Sequence, residues 1–469
     1  MKKVIGTAVM LLMTIGIYSQ DITGVWQGKV TLGKGKEIVF IFDIQEVNGE
    51  LSTTVSIPSQ RVEGLKPKQT TFSNGELTVD GSNLGMGYQG KYNSAKMQFE
   101  GEFQEGANKI PLNLKKETEE GSNEIEGNGK PQEPKQPYPY LAENVTFKNE
   151  AANITLAGTF TKPKEGSKFP AVVLISGSGG QDRDGTAFGH KNLLVLADHL
   201  TRQGIAVLRF DDRGFGESTG DFSTATTADF AGDVECAVEF LQKRNDVGEI
   251  GLIGHSEGGI IAPMVANRMQ DNVAFIVSLA GAGVEGSETS LIVSKNLRPF
   301  PVPSEEAYER AIRQAIRIAS KRGDIEKIKT ELTAHYQKTI APILRPMLGS
   351  KEKTDETIKG LVESRVTPWS RYFYGYNPAD EFKKVKCPVL AINGSKDIQV
   401  PADVHLVAIE RALKNGKTKN FKVKELDGLN HFFQKCESCK MSEYQKLDET
   451  FNSEALEVIS SWILETVNS

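Results

Sequence analysis

The stretch IGLIGHSEGGIIA, residues 250–262, joins an apolar run to a pentapeptide of the form Gly-x-Ser-x-Gly. The apolar run predicts a buried strand, and the small residues after the pentapeptide predict the first turns of a helix. A tight strand-to-helix turn of this kind exposes the serine hydroxyl, and the helix N-terminus stabilises negative charge next to it. The stretch therefore makes Ser256 a candidate nucleophile, although a structural glycine-rich loop would have the same spacing.

Strands and helices alternate on both sides of this stretch. Continuous apolar strands separated by helices indicate a mostly parallel sheet with helices on both faces, an α/β fold. Apolar strands are predicted at residues 171–175, 205–210, 250–253, 273–280, 388–392 and 420–426, with a leading hairpin at 145–147 and 154–160. Helices are predicted at residues 191–202, 229–242, 260–269 and 454–466.

The alternation is interrupted at residues 285–384, where every pattern is helical. A helical insert at this position predicts a cap over the carboxyl edge of the sheet, where ligands bind in such folds. The insert contains the aromatic residues Trp369, Phe373 and Tyr374. We expect these side chains to form a possible pocket wall, with packing of the cap onto the core as the alternative role.

The first part of the chain has a different organisation. Residues 21–116 combine short strand patterns with the turn pairs Asn48-Gly49 and Asn74-Gly75, which predicts a small antiparallel β domain. Residues 117–139 are rich in Glu, Gly, Lys and Gln and contain four prolines. They bury little apolar surface, so we predict a linker there. The α/β domain then occupies residues 140–469.

The N-terminus has the composition of a signal peptide. A basic start, Met1-Lys2-Lys3, precedes an apolar run over residues 4–17, and the small residue Ser19 marks a cleavage point. The run is short for a bilayer span, so an uncleaved anchor is the less favoured alternative. We expect residues 1–19 to be removed and the mature protein to be exported to the periplasm or beyond, without a membrane span.

The charge balance and the cysteines limit the function further. The 469-residue chain has a formal net charge of −5 and no basic cluster, which gives no support for binding nucleic acid. Cys436 and Cys439 have the spacing of a local disulfide, a redox pair or half of a zinc site. Only His431 lies near them as a further zinc ligand, so no metal is expected. No organic cofactor is expected either.

A serine hydroxyl needs a general base to become a strong nucleophile. Among six histidines, His431 follows the last predicted strand, as the chain order Ser…Asp…His requires. His255 adjoins the serine, but neighbours on a tight turn point apart. Asp397 follows the strand predicted at 388–392, where its carboxylate would orient the imidazole. Asp403 is the alternative, with helix capping as its competing role.

The tetrahedral intermediate of acyl transfer needs an oxyanion hole made of preorganised hydrogen-bond donors. The backbone N–H of Glu257, directly after the candidate nucleophile, is predicted to be one donor. The second is expected from the glycine-rich loop after the strand at 171–175, with Ser178 favoured over Gln181. A phosphate-binding role for this loop is disfavoured because no Lys-Ser or Lys-Thr pair follows its glycines.

Five motifs fall in one order along the chain: GSGGQDRDG, RFDDRGFGES, GHSEGG, NGSKD and GLNH. In this order they resemble the α/β-hydrolase superfamily, most closely bacterial carboxylesterases and the related serine-aminopeptidase-like branch. The resemblance spans residues 140–469. One departure concerns the glycine-rich loop, where Ser176-Gly177 stands in place of the His-Gly of many members.

The resemblance implies a role for particular residues. Ser256, Asp397 and His431 would form a catalytic triad. Within the motif RFDDRGFGES, Asp211 and Arg213 would have structural roles.

A hydrolase is the function that the sequence supports best. The first hypothesis is a secreted serine hydrolase that cleaves small-molecule carboxylic esters through an acyl-enzyme on Ser256. The second is an exported aminopeptidase for short peptides, which needs a fixed anion such as Glu257 or Asp182 to hold the substrate α-amine. The third is a non-catalytic carbohydrate- or lipid-binding protein with a degenerate hydrolase domain, which the intact pattern of catalytic residues disfavours.

Overall fold

The computed structural model describes residues 22–32, 36–47, 50–57, 62–82, 86–94, 96–105, 108–116 and 130–468. The predicted signal peptide and the Asn48-Gly49 turn lie outside the described residues. The chain divides into two compact units, Met1–Ser122 and Asn123–Ser469. Within the described ranges, no helix is both long and apolar enough to cross a membrane.

The first unit is an antiparallel sheet that nearly closes into a barrel. Its described strands are β1 Gly24–Leu32, β2 Lys36–Val47, β3 Glu50–Ile57, β4 Val62–Leu65, β5 Gln69–Ser73, β6 Glu76–Gly81, β7 Met86–Asn93, β8 Gln98–Glu105 and β9 Asn108–Lys116. They are ordered β4-β3-β2-β1-β9-β8-β7-β6-β5. A hydrogen bond of 2.8 Å between the hydroxyls of Thr70 and Thr53 connects β5 back to β3.

Local sequence explains both the turns and the interior of this unit. The predicted Asn74-Gly75 turn joins β5 to β6, and both of its residues have positive φ, 52° and 77°. Trp26 is buried in the interior, where its ring lies 4.6 Å from that of Phe99 and its indole N–H donates to the carbonyl of Ile22. The predicted small antiparallel β domain is therefore confirmed as a fold.

The second unit is built on a mixed sheet with the order β10-β11-β15-β12-β16-β17-β18-β19. Its strands are β10 Leu141–Asn149, β11 Ile154–Lys162, β12 Phe169–Ile175, β15 Ala206–Phe210, β16 Val247–His255, β17 Phe275–Leu279, β18 Val389–Gly394 and β19 Phe421–Leu426. The hairpin β10-β11 and its pairing with β15 are antiparallel, and the later pairs are parallel. A small separate hairpin joins β13 Thr186–Ala187 to β14 His190–Lys191.

Helices cover both faces of this sheet, as the alternation predicted. On one face α2 Thr227–Gln242, α3 Gly258–Arg268 and α11 Ala402–Lys414 pack against the apolar strands. On the other face the sheet is covered by α1 Asn192–Arg202 and α13 Ser453–Val467. The short helix α12 Met441–Tyr444 precedes the last of these. Both faces bury continuous aliphatic surface, the main source of stability in such a domain.

The helical insert between β17 and β18 forms the predicted cap. Its helices are α4 Gly286–Asn296, α5 Glu305–Ala319, α6 Ile325–Thr339, α7 Ala341–Leu348, α8 Lys351–Arg365, α9 Pro368–Tyr374 and α10 Pro378–Phe382. The cap has its own apolar core, which includes Leu332, Tyr336 and Ile358. This core stabilises the insert in addition to its contacts with the rest of the second unit.

The strand order creates a crevice at one place in the sheet. In the main sheet, the chain passes from β12 to β15, which lies on one side of β12. It then continues to β16, which lies on the other side of β12. At such a switch point the loops beyond the two carboxyl ends separate, and ligands bind between them. The loops that leave this point begin at Ser176, after β12, and at Ser256, after β16.

The predicted linker, residues 117–139, is described only from residue 130. There it forms turns that join the second unit. The ammonium group of Lys130 donates to the carbonyl of Leu447 at 2.5 Å, and the amide of Gln132 donates to that of Phe451 at 2.6 Å. The end of this segment is thus anchored beside α13.

Candidate active site

Ser256 lies on a tight turn between β16 and α3. Its φ is +55°, a left-handed conformation that costs a non-glycine residue about 1–3 kcal/mol and is common at functional sites. The turn is possible because the neighbouring glycines have no side chain: a β-carbon on Gly254 would overlap the backbone of Gly258. The N–H of Ser256 donates to the carbonyl of Leu279 at 2.8 Å, which fixes the turn against β17.

Asp397 and His431 are in direct contact at the carboxyl ends of β18 and β19. Asp397 Oδ2 lies 2.7 Å from His431 Nδ1, and both side chains are buried. The other oxygen of the carboxylate accepts from the backbone N–H groups of Gln399 and Val400, at 2.8 and 2.9 Å. Burial alone would raise the pKa of Asp397, but the charge of His431 and these hydrogen bonds together lower it.

His255 connects the nucleophile turn to this pair. Its Nε2 lies 2.8 Å from the carbonyl oxygen of His431, and because a carbonyl only accepts, Nε2 carries the proton. The two rings are 4.8 Å apart. Burial and the charge of His431 lower the pKa of His255 to about 3, so its ring is neutral at neutral pH. Within the described chain, the Ser256 hydroxyl itself has no hydrogen-bond partner.

The other four histidines are engaged elsewhere in the fold. His190 bonds to Thr450 and Tyr444, His199 to Ser460, His335 to the carbonyl of Ala311 and His405 to the N–H of Gly283. His405 comes near the pair, and burial lowers its pKa to about 4. Only His431 combines contact with a buried carboxylate and a place beside the serine turn.

The loop after β12, residues 176–181, approaches the serine and is called the oxyanion loop below. A β-carbon built on Gly177 would lie 3.3 Å from Cβ of Ser256. In the described part of the chain, the N–H groups of Glu257 and Ser178 have no backbone acceptor, which leaves them free for a ligand oxygen. The N–H of Gln181 already donates to Asp212 at 2.9 Å, so this alternative donor is occupied.

The side chain of Glu257 is part of the site in a way that the sequence did not indicate. It is buried and accepts from the Thr227 hydroxyl at 2.7 Å and from the Trp369 indole N–H at 2.6 Å. Burial raises the pKa of Glu257, while these hydrogen bonds and one from Ser178 oppose the rise. The residue after the nucleophile therefore joins the cap to the core.

The three cap aromatics have different surroundings. Trp369 stacks on Phe373, with ring centroids 5.0 Å apart and planes within 10°, and both pack near Ile260 of α3. Tyr374 instead packs in the core of the cap. Trp369 and Phe373 thus lie at the contact between cap and core, and Tyr374 does not accompany them.

Several acidic residues near the site have structural partners. Asp182 accepts from the hydroxyl of Thr186 at 2.6 Å and closes a turn with it. Asp211 pairs with Arg183 at 2.6 Å, and Arg213 pairs with Asp233 at 2.7 Å. These contacts agree with the structural roles that the resemblance implied for Asp211 and Arg213. The alternative orienting acid, Asp403, lies in the first turn of α11.

Cys436 and Cys439 form a disulfide. Of the three hypotheses for this pair, the structure therefore supports the local disulfide. Across the described ranges, no group of three or more histidine, cysteine or acidic side chains is arranged to hold a metal ion. The bridge lies in the segment that follows His431 and leads into α12.

Comparisons with known proteins agree with this architecture. Residues 190–336 match the family model described as serine aminopeptidase, S33. The esterase EstD of Thermotoga maritima is 29% identical over 282 residues, which cover 59% of this chain and 57% of EstD. The chain thus spans little more than half the length of this relative.

The solved structures to which the chain is similar include two esterases. Est1E of Butyrivibrio proteoclasticus, in a complex with ferulic acid, has a TM-score of 0.41 and 17% identity, covering 69% of this chain and 100% of that one. The Pyrococcus furiosus esterase Pf2001 has a TM-score of 0.43 and 14% identity, covering 70% and 91%.

The strand order and the serine turn give the second unit the fold of the α/β-hydrolases. The matched parts of the chain are similar to esterases and to serine aminopeptidases.

Proposed function

We propose that this protein hydrolyses carboxylic esters through an acyl-enzyme on Ser256. The observation that carries the proposal is the buried Asp397–His431 contact of 2.7 Å beside the serine turn. Asp397 holds the proton on His431 Nδ1, so Nε2 is left as a base for the Ser256 hydroxyl. This arrangement is the one that activates serine in acyl-transfer enzymes.

The reaction then runs in two halves. Ser256 Oγ attacks the ester carbonyl while His431 Nε2 takes its proton, and the N–H groups of Glu257 and Ser178 stabilise the oxyanion. His431 returns the proton to the leaving alcohol, and the C–O bond of the ester breaks. Water attacks the acyl-enzyme by the same route and releases the carboxylic acid. His431 Nε2 accepts and returns the transferred proton in both halves of the reaction.

The surroundings of the acidic residues favour an ester over a peptide substrate. An aminopeptidase needs an anion that is free to bind the substrate α-amine. Glu257 already accepts from Thr227 and Trp369, and Asp182 is engaged by Thr186. The exported aminopeptidase remains the second candidate because the family model that matches residues 190–336 is that of serine aminopeptidases. A non-catalytic binding role is disfavoured because the buried Asp397–His431 pair lies beside the serine turn, where a triad would need it.

A panel of p-nitrophenyl esters and aminoacyl p-nitroanilides tests the choice, with Ser256→Ala as the control. The proposal expects ester hydrolysis that depends on Ser256 and little anilide cleavage. Anilide cleavage without ester hydrolysis would establish the peptidase instead. Turnover that survives Ser256→Ala would refute both.

We also propose that the protein acts outside the cytoplasm. Disulfides persist in oxidising compartments, and Cys436 and Cys439 are bridged. The basic and apolar composition of residues 1–19 supports the same location. Cell fractionation, with mass measurement of the purified protein, would show a shortened and oxidised chain in the exported fraction. A full-length, reduced chain in the cytoplasm would contradict this location.

A further inference from the structure

One acidic residue of the second motif, Asp212, makes three hydrogen bonds to the oxyanion loop. The Ser176 hydroxyl lies 2.7 Å from Asp212 Oδ1, and the N–H of Gln181 donates to Asp212 Oδ2 at 2.9 Å. The N–H of Asp212 in turn donates to the carbonyl of Gln181 at 3.0 Å. Asp212 therefore forms hydrogen bonds with both ends of the loop that carries Gly177 and Ser178.

Two small cavities border the first residues of this loop. A cavity of about 10 Å³, the size of one water molecule, is lined by Ser176, Gly177, Asp212 and Glu257. A second cavity of about 10 Å³ is lined by Ser176, Gly177, Gln181 and His255. Packing of Phe215 on Gly180 fixes the later part of the loop. At Ser176 and Gly177 the loop borders both voids, so there the hydrogen bonds to Asp212 contribute to fixing where the N–H groups lie.

Ser176 connects the start of the loop to Asp212, because its short hydroxyl reaches the Asp212 carboxyl directly. We propose that Asp212 is a positioning residue that, through Ser176 and Gln181, holds the oxyanion loop at the distance that the tetrahedral intermediate requires. This inference rests on the proposed hydrolysis and concerns the same site.

The protonation of Asp212 indicates which substitution is conservative. Burial raises the pKa of Asp212 to about 8, with Glu257 and Asp233 adding to the rise and the bonds from Ser176 and Gln181 opposing it. The carboxyl is therefore mainly neutral at pH 7. A neutral acid has one donor and one acceptor face, and so does an asparagine amide.

Asp212→Ala is expected to lower kcat about 10- to 100-fold with KM within about 3-fold, since only the transition state needs the aligned donors. Asp212→Asn is expected to keep kcat within about 3-fold of the wild type. A trifluoromethyl ketone, whose adduct with Ser256 places an oxyanion on the loop, should bind more weakly to Asp212→Ala in parallel with the loss of kcat/KM.

Asp233→Asn is the matched control. Asp233 lines the same cavity but pairs with Arg213 and does not bond to the loop. It should lower Tm and leave kcat within about 2-fold. An equal loss of kcat in Asp233→Asn, or an unchanged kcat or ketone affinity in Asp212→Ala, would overturn the inference.

Ser176→Ala covers the case in which Asp212→Ala does not fold. It removes only one hydroxyl, and kcat should fall about 3- to 10-fold at unchanged KM because one hydrogen bond to the loop is lost. Unchanged kcat in Ser176→Ala would also overturn the inference. If the proposed function itself is wrong, the wild type will show no ester turnover that depends on Ser256. This outcome is distinct from an unchanged kcat in the Asp212 or Ser176 variants.

Discussion

Replacing Asp397 by asparagine should disable the base without disturbing the fold. One carboxylate oxygen of Asp397 accepts from two backbone N–H groups, those of Gln399 and Val400. An amide must keep its oxygen there, because its NH2 group would face two donors. The NH2 group is then forced toward His431 Nδ1. His431 must present a bare Nδ1 to it and carry its proton on Nε2, where it cannot accept the serine proton.

The size of the effect follows from this tautomer. Serine hydrolases with the wrong imidazole tautomer lose about 10⁴ in kcat, which corresponds to about 5.5 kcal/mol in the activation free energy. We expect Asp397→Asn to lower kcat by about 10³- to 10⁴-fold, with a small change in KM. The assay is steady-state hydrolysis of the best p-nitrophenyl ester of the panel, and circular dichroism checks that the variant is folded.

Asp403→Asn is the matched control, because Asp403 is the other acid after β18 and lies in the first turn of α11. It should keep kcat within about 2-fold, since an exposed helix-terminal charge contributes little to a distant site. If Asp397→Asn retained more than a tenth of the wild-type kcat while folded, the assignment of the orienting acid would be refuted. A large loss in Asp403→Asn alone would transfer the role to Asp403.

Three further predictions concern the surroundings of the catalytic pair. Because the pKa of His255 is lowered to about 3, the unfolded state binds an extra proton as pH falls below about 6.5, and folding stability decreases. Denaturant unfolding of His255→Gln between pH 6.5 and 4.5 should therefore show a weaker pH dependence than the wild type, and parallel curves would contradict the neutral imidazole. Trp369→Phe keeps the stacked ring but removes the hydrogen-bond donor to buried Glu257, so the free energy of unfolding should fall by about 1–3 kcal/mol. The preference for acyl length among the p-nitrophenyl esters should also change. An unchanged preference would show that Trp369 does not line the substrate pocket. Replacing both Cys436 and Cys439 by serine should cost about 2 kcal/mol, as expected for a short closed loop. A reductant should destabilise the wild type but not this variant, and an equal response of both proteins would exclude a stabilising bridge.

The architecture and the positions of the candidate catalytic residues could be predicted from the sequence, because both depend on the order of strands and helices along the chain. Apolar strands alternate with helices, and the carboxyl ends of parallel strands meet at one edge of a sheet. Ser256, Asp397 and His431 each follow a predicted strand, so their approach could be expected from chain order alone. The contact between Asp397 and His431 agrees with that expectation.

The supporting contacts could not be expected in the same way. Trp369 and Glu257 are 112 residues apart, and Ser176 and Asp212 are 36 apart. Each pair depends on how the cap or a loop packs in three dimensions, which no local periodicity specifies. The sequence argues against His255 as the base, but the bond from His255 to the His431 carbonyl arises only in the folded turn.

Active-site labelling with a fluorophosphonate, followed by mass spectrometry of the labelled peptide, shows whether Ser256 is the nucleophile. We expect one adduct per chain, located on Ser256, and no adduct in Ser256→Ala. Equal labelling of wild type and Ser256→Ala, or an unlabelled folded wild type, would contradict the assignment of Ser256 as the nucleophile.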